Sequence, residues 1–140
     1  MPHNCHALLL HCMDFRLQKD IKHFMEEHGL LGDCDVVSLA GAAKNILDPG
    51  TRDLVLHQID VSKTLHGISV VHLMNHTDCG AYGGHAGFAN LEAEREKHIE
   101  DLKAAAGVIK DLYPDLAVVK WIAHIEKEGN VEDIWFEELA

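Results

Sequence analysis

Cysteine, aspartate and arginine alternate in Cys12-Met13-Asp14-Phe15-Arg16, and a second group of reactive residues, Asn75-His76-Thr77-Asp78-Cys79-Gly80, lies far along the chain. His76 and Cys79 are spaced His-x-x-Cys, so a single turn can offer two ligands to one ion, and Cys12 supplies a third. Two thiolates and one imidazole make a Cys2His zinc set with a position left over for water or substrate. Asp14 and Arg16 follow Cys12 at alternate positions, so in an extended segment all three side chains leave on the same side. Arg16 would hold the Asp14 carboxylate by a paired, charge-assisted hydrogen bond that keeps it ionised and turned toward or away from the ion. A residue so placed governs catalysis by orienting what the ion binds.

Such chemistry requires two strands that end side by side. Each reactive group follows an apolar run typical of a buried strand: Ala7 to Leu10 before the first, Ile68 to Met74 before the second. In a parallel sheet, neighbouring strands release their C-terminal ends on the edge where α/β proteins place ligands. Residues 7 to 12 read as a strand, followed by a helix marked by Leu17, Ile21, Phe24 and Met25, with Gly29 as its C-cap. Val36 to Ala40 is a second strand closed by Gly41. Asp48-Pro49 reads as a helix start, and Leu54, Gln58, Val61 and Leu65 as one face of a helix running to Gly67. Ile68 to Asn75 is the third strand.

The glycines at 80, 83, 84 and 87 make a permissive loop. Leu91, Ile99, Leu102, Ile109 and Leu112 then mark a long amphipathic helix, with Glu92, Glu94, Glu96 and Glu100 outside, which Pro114 stops. Leu116 to Ile125 is a fourth strand, and Glu128-Gly129-Asn130 is a turn before a C-terminal piece carrying Trp135, Phe136 and Leu139. Strands separated by helices predict an α/β fold, three-layer α/β/α, with a mostly parallel sheet of four to five strands and right-handed crossovers.

The bulk properties narrow the function classes. The 140 residues, 47% hydrophobic, suffice for a single domain over 1–140 with one core and no disulfides. Twelve basic residues against 23 acidic give a net charge of −11, which argues against nucleic acid and against an anionic membrane surface. No apolar run is long enough to span a bilayer, and the first residues lack the pattern of a signal peptide, so a cytoplasmic location is expected. The four cysteines lack the dense spacing of a secreted scaffold, which favours metal or catalytic use in a reduced compartment over a Cys5 to Cys34 disulfide.

Cys12-x-Asp14-x-Arg16, then Val36 to Gly41, then His76-x-x-Cys79-Gly80, resembles the β-class carbonic anhydrases in order and in strand context. Trp121-Ile122-Ala123 through Glu128-Gly129-Asn130-Val131 is similar to that family's last strand and turn. The resemblance implies Zn2+ held by Cys12, His76 and Cys79, with Asp14 and Arg16 as the dyad that gates the fourth position and Asp14 a ligand only in a closed state. It implies reversible hydration of carbon dioxide to bicarbonate by a zinc-bound hydroxide, with Gly41 and Gly80 lining the substrate pocket. It further implies assembly as a homodimer or a higher multiple of dimers.

The chain also departs from the family. Ser38-Leu39-Ala40-Gly41-Ala42 stands where the family has Arg-Asn-Ala-Gly-Asn. His3-Asn4-Cys5 stands in place of Gln-x-Pro, and Asn75 in place of a glycine. The family's N-terminal helical arm has no counterpart, and the segment after Cys79 is short. These trims leave room for two other readings: a hydrolase of carbonyl sulfide or carbon disulfide, or a non-catalytic zinc protein with a closed, Asp14-ligated site.

The remaining candidates carry plainer expectations. Cys5 and Cys34 read as small buried hydrophobes, and Asp78 as a loop or capping residue. Of the twelve histidines, His23, His28, His57, His66 and His98 read as solvated or partly buried on helices, and His11 and His72 as hydrogen-bonded interior residues. His85, in the glycine loop, is a candidate proton shuttle because its ordinary pKa suits transfer near neutrality. A cysteine phosphatase loop is excluded, since Gln18 stands where its arginine would be, and a nucleotide loop fails for want of a Lys-Ser/Thr ending.

Overall fold

A computed structural model describes residues 3–140 of the chain. Five strands form one sheet in the order β2-β1-β3-β4-β5: β1 (Ala7–His11), β2 (Cys34–Ser38), β3 (Val70–His76), β4 (Ala117–Glu128) and β5 (Val131–Leu139). All neighbours are parallel except β4 and β5, an antiparallel hairpin closed at Gly129-Asn130. Helix α1 (Gln18–Glu27) packs on one face, with Leu17, Ile21, Phe24 and Met25 against Ala7, Leu9, Met74 and Trp121. Helices α2 (Lys44–Leu47), α3 (Arg52–His66) and α4 (Leu91–Leu112) cover the other, where Ile46, Val55, Ile59, Leu102 and Ile109 meet Leu8, Leu10, Val71 and Leu73. The result is the expected α/β/α sandwich.

The strand order creates the functional edge. From β1 the chain first adds β2 on one side, then crosses back through α2 and α3 to add β3 on the other. The crevice between β1 and β3 is therefore a topological switch point, where open α/β sheets bind their ligands at the strands' C-terminal ends. Register brings His11 opposite Met74, so Cys12 leaves β1 beside the end of β3.

Three local expectations need correction. Asp48-Pro49 does not start a helix: Asp48 is the C-cap of the unforeseen α2, and α3 begins at Arg52 after a turn in which Gly50 N–H donates to Asp48 Oδ1 at 2.9 Å. The buried stripe of α3 is Val55, Ile59 and Ser62, one position round from the face expected; Leu54 and Leu65 are exposed. The second strand runs two residues earlier than read, and as an edge strand it leaves Val36 exposed.

His72 is an interior histidine as expected, and it confers a pH dependence. Its Nδ1 accepts the Trp121 indole N–H at 3.0 Å, which requires the neutral ring, and burial pushes its pKa from 6.5 down to about 4. Since the unfolded chain binds this proton first, the stability is fully present above pH 6.5 and is lost as pH falls through about 4. The contribution is of the order of 3 kcal/mol. In urea unfolding, His72→Gln, which keeps an acceptor for Trp121 without titrating, is expected to weaken the fall in stability between pH 6.5 and 4; an unchanged fall would rule His72 out as its source.

Candidate metal centre

Cys12, His76 and Cys79 come together at the crevice, all three buried, with their ligand atoms within 4.8 Å of one another. The sulfurs of Cys12 and Cys79 are 4.0 Å apart. Tetrahedral zinc with Zn–S bonds of about 2.3 Å places two sulfurs about 3.8 Å apart, so the pair is already at metal spacing. His76 donates from Nδ1 to the Thr77 carbonyl at 2.7 Å, which leaves Nε2 as the bare acceptor nitrogen. That Nε2 is buried without a hydrogen-bond partner. A buried, orphaned imidazole nitrogen beside two thiols is a donor set that fits zinc, and its other nitrogen is tied to the backbone as metal-binding histidines are.

The two thiols share a hydrogen bond. Cys12 is held well below the usual thiol range by the hydrogen bond from Cys79 and by the amide of Gly41, while the same sharing, together with burial, pushes Cys79 up. Gly41 thus faces the sulfurs with its backbone N–H. It sits at φ +84, and a Cβ there would come within 3.0 Å of the Ala81 Cβ, so glycine lets the loop close over the site.

Asp14 meets Arg16 through a turn rather than by strand alternation. The chain leaves the extended conformation at Asp14, which caps a 3-10 turn over Phe15–Leu17 by accepting the Arg16 backbone N–H at 2.9 Å. The guanidinium then forks onto the same carboxylate, with Nε 3.0 Å from Oδ1 and Nη2 2.7 Å from Oδ2. This grip holds Asp14 below the usual carboxylate range, against the opposing effect of its burial. Asp14 Oδ2 lies 3.8 Å from His76 Nε2, at the margin of the donor cluster.

A family model described as "Putative carbonic anhydrase" matches residues 2–135. The chain belongs to that family. Among relatives of the carbonic anhydrase-like chain, an uncharacterized protein of Rickettsia bellii (strain RML369-C) is 31% identical over 135 residues, covering 92% of this chain and 81% of its own. An uncharacterized protein of Rickettsia conorii (strain ATCC VR-613 / Malish 7) is 30% identical over 135 residues, covering 92% and 72%. A solved structure, the carbonic anhydrase from Streptococcus mutans, superposes with a TM-score of 0.61 at 22% identity, covering 89% of this chain and 80% of that one. At that identity the likeness is one of fold, and it agrees with the resemblance read from the two metal segments.

Around the donor set, this carbonic anhydrase family member carries a polar shell that its sequence only partly announces. Asp78 is more than a capping residue. Its Oδ2 accepts from Arg16 Nη1 at 3.1 Å, its carbonyl from Arg16 Nη2 at 3.0 Å, and its Oδ1 from the His85 N–H at 2.9 Å. It does so at φ +56, a conformation that aspartate tolerates better than most residues. Glu94, expected outside on α4, is buried: it accepts from the Asp78 N–H at 2.7 Å and pairs with His85 Nδ1 at 2.7 Å. His85 is therefore tied to Asp78 and Glu94 by hydrogen bonds, with 41% of its side chain exposed. Gly80 opens a 3-10 turn directly after Cys79 and is exposed.

Asn75, the departure from the family's glycine, ties the centre to its surroundings. Its Oδ1 accepts from the Ala43 N–H at 3.1 Å, and its Nδ2 donates to His98 Nδ1 and to the Tyr82 hydroxyl, which in turn donates to Asp101. His98, expected to be solvated or partly buried, is fully buried in this network, and burial depresses its pKa to about 4. Two clefts, of about 680 and 600 Å³, are lined by residues other than the donors themselves, the first by Lys44, Ala81, Tyr82 and Phe88, the second by Thr77, His85, Glu94 and His124. Among the described residues, no helix is long and apolar enough to cross a membrane.

Proposed function

We propose that the chain is a zinc-dependent enzyme that interconverts carbon dioxide and bicarbonate. The observation that carries the reading is the forked grip of Arg16 on Asp14 beside the Cys12, His76 and Cys79 cluster. A closed, non-catalytic site would take Asp14 as its fourth ligand; a carboxylate already engaged on both oxygens by a guanidinium favours three protein ligands and an open position. Membership of the carbonic anhydrase family supports the substrate class.

Zinc, when bound, supplies a Lewis acid that makes water nucleophilic near neutral pH. The protein does the rest. Cys12 and Cys79 would hold the ion as thiolates that offset its charge, so hydration is expected to speed up from pH 7 toward 9. His76 presents Nε2 because Thr77 holds Nδ1–H. Asp14, ionised and acceptor-only, takes a hydrogen bond from the attacking water and turns its lone pair toward the carbon of carbon dioxide. The proton released with bicarbonate leaves by way of His85, the exposed partner of buried Glu94.

The reading includes a homodimer or higher multiple of dimers, supported by the exposure of Met13 (65%) and Phe15 (77%) on either side of Asp14. It also includes a cytoplasmic location, supported by cysteine spacing unlike that of a secreted disulfide scaffold. Stopped-flow hydration of carbon dioxide by zinc-loaded protein is expected to give a kcat/KM within the usual enzymatic range, about 10⁴ M⁻¹ s⁻¹ or above. A rate equal to that of buffer alone between pH 7 and 9 would refute it.

A further inference from the structure

At the opposite end of β1 lies a second set of donors that the first centre does not use. Cys5 stands just before β1, Asp35 lies in β2, and His66 is the last residue of α3; their ligand atoms are within 4.8 Å of one another, and all three residues are half-buried. The fold brings them together for structural reasons. Leu8 pairs with Asp35 across the parallel β1–β2 ladder, and the Cys5 N–H donates to the His66 carbonyl at 3.0 Å, which pins the chain entering β1 to the end of α3. A cleft of about 230 Å³ opens over them and is also lined by His3 and Cys34. The His3 ring lies 5.0 Å from that of His66.

We propose that Cys5, Asp35 and His66 form a second metal site that takes a borderline divalent ion such as Zn2+, roughly 20 Å from the first, at the other end of the sheet. One thiolate, one imidazole and one carboxylate suit zinc or cobalt and do not suit calcium or magnesium, which want oxygen alone. Two of the donors are anionic when deprotonated, and they crowd each other: the Cys5 thiol is pushed up by burial and by the charge of Asp35. That is the reverse of an activated nucleophile, which argues against a Cys-His-Asp catalytic triad. A cation between thiolate and carboxylate removes the conflict.

His66 Nδ1 and Asp35 Oδ2 are hydrogen-bonded at 2.6 Å, and Ser62 Oγ donates to the same oxygen at 2.6 Å. Ligand atoms on tetrahedral zinc lie about 3.4 Å apart for bonds of about 2.1 Å, so under about 1 Å of opening admits the ion. Uptake exchanges one proton for metal: the Cys5 thiol proton passes to solvent, the hydrogen on His66 Nδ1 is relocated to Nε2 so that a neutral ring offers Nδ1 to the ion, and three coordinate bonds form. Ser62 keeps its hydrogen bond to the carboxylate and orients it. His3 is placed to approach as a fourth donor.

Cobalt(II) is the probe, in a Cys12→Ser/Cys79→Ser background that removes the first centre. That variant is expected to bind one Co2+ per chain, with a near-ultraviolet thiolate-to-cobalt charge-transfer band. Adding Cys5→Ser or His66→Ala should weaken binding at least tenfold, and Cys5→Ser should abolish the band, whereas Cys34→Ser should leave both. No uptake by the folded background, or a band that survives Cys5→Ser, would overturn the site. Should the background fold poorly, the wild-type chain decides by alkylation read peptide by peptide: saturating Zn2+ is expected to slow iodoacetamide labelling of Cys5, and equal labelling with and without Zn2+ overturns the proposal. Failure of the first centre would show instead as unprotected Cys12 and Cys79, so the two outcomes are separable.

Discussion

Cys79→Ala is expected to strip the candidate centre of its zinc and to lower carbon dioxide hydration by at least 10³-fold. Structural zinc sites bind with free energies of about 10–16 kcal/mol spread over their ligands, so removing one of three protein donors costs several kcal/mol, or about 10³-fold or more in affinity. Asp14, the next donor at hand, is held on both carboxylate oxygens by Arg16. His76 Nε2 would face Cys12 alone, and Cys12, no longer hydrogen-bonded to Cys79, would return toward an ordinary thiol and bind metal less readily near neutral pH. Metal analysis should be made in a Cys5→Ser background so that only this centre is counted; about one zinc per chain is expected before the substitution and about none after dialysis. Circular dichroism separates loss of metal from loss of fold. Zinc retained at full occupancy with the fold intact would dispose of Cys79 as a ligand.

Much of this centre could be read from residue order because its parts are strand ends. Ala7 to Leu10 and Val71 to Met74 are buried on both faces, as parallel strands between helical layers must be, so their apolar runs stand out and the polar residues after them are placed by topology. What could not be read depends on contacts distant in sequence. Glu94 follows an N-cap in a helix with an acidic outer face, and only the return of the Asp78 loop across the start of α4 buries it. His98 looked like another helical histidine until Asn75, 23 positions away, claimed its ring. The four-residue α2 is too short for periodicity to show, and its presence turned Asp48-Pro49 from a helix start into a helix end.

Cys5 and Cys34 illustrate the same limit from the other side. As isolated cysteines, each reads as a small apolar residue, yet Cys5 stands beside Asp35 and His66 because β1, β2 and α3 begin and end at one edge. The signal was available only as topology: in a parallel sheet, residues just before one strand, early in its neighbour and at the end of the following helix share the N-terminal edge. Charged and polar residues at those positions are ordinary, which is why no motif marks them.

Arg16→Leu is expected to leave zinc bound and still lower kcat/KM by about 10²–10³-fold, the range seen when a group that orients reacting atoms is lost. Arg16 binds Asp14 through Nε and Nη2, Asp78 through both its carboxylate and its carbonyl, and approaches Glu132 at 3.8 Å. Without it three carboxylates lose their common counter-ion, and the Asp14 carboxylate is freed to rotate toward the ion and close the open position. The stability effect has a definite sign. Asp14 and Asp78 both have depressed pKa values in the folded chain, so their contribution is present above the unfolded value of 3.8 and fades as pH falls below it. Wild type and variant should therefore differ by about 2 kcal/mol in urea unfolding at pH 7, discounted from a fully buried pair because the Arg16 side chain is 21% exposed, and the difference should shrink as pH falls below 3.8. Arg16→Lys, which offers one point charge and no fork, is expected to recover stability more than rate. A crystal structure of the zinc-loaded leucine variant should show an Asp14 oxygen in place of water at the fourth position. Wild-type turnover in that variant would remove Asp14 orientation from the mechanism, whereas loss of the zinc itself would make Arg16 a folding residue.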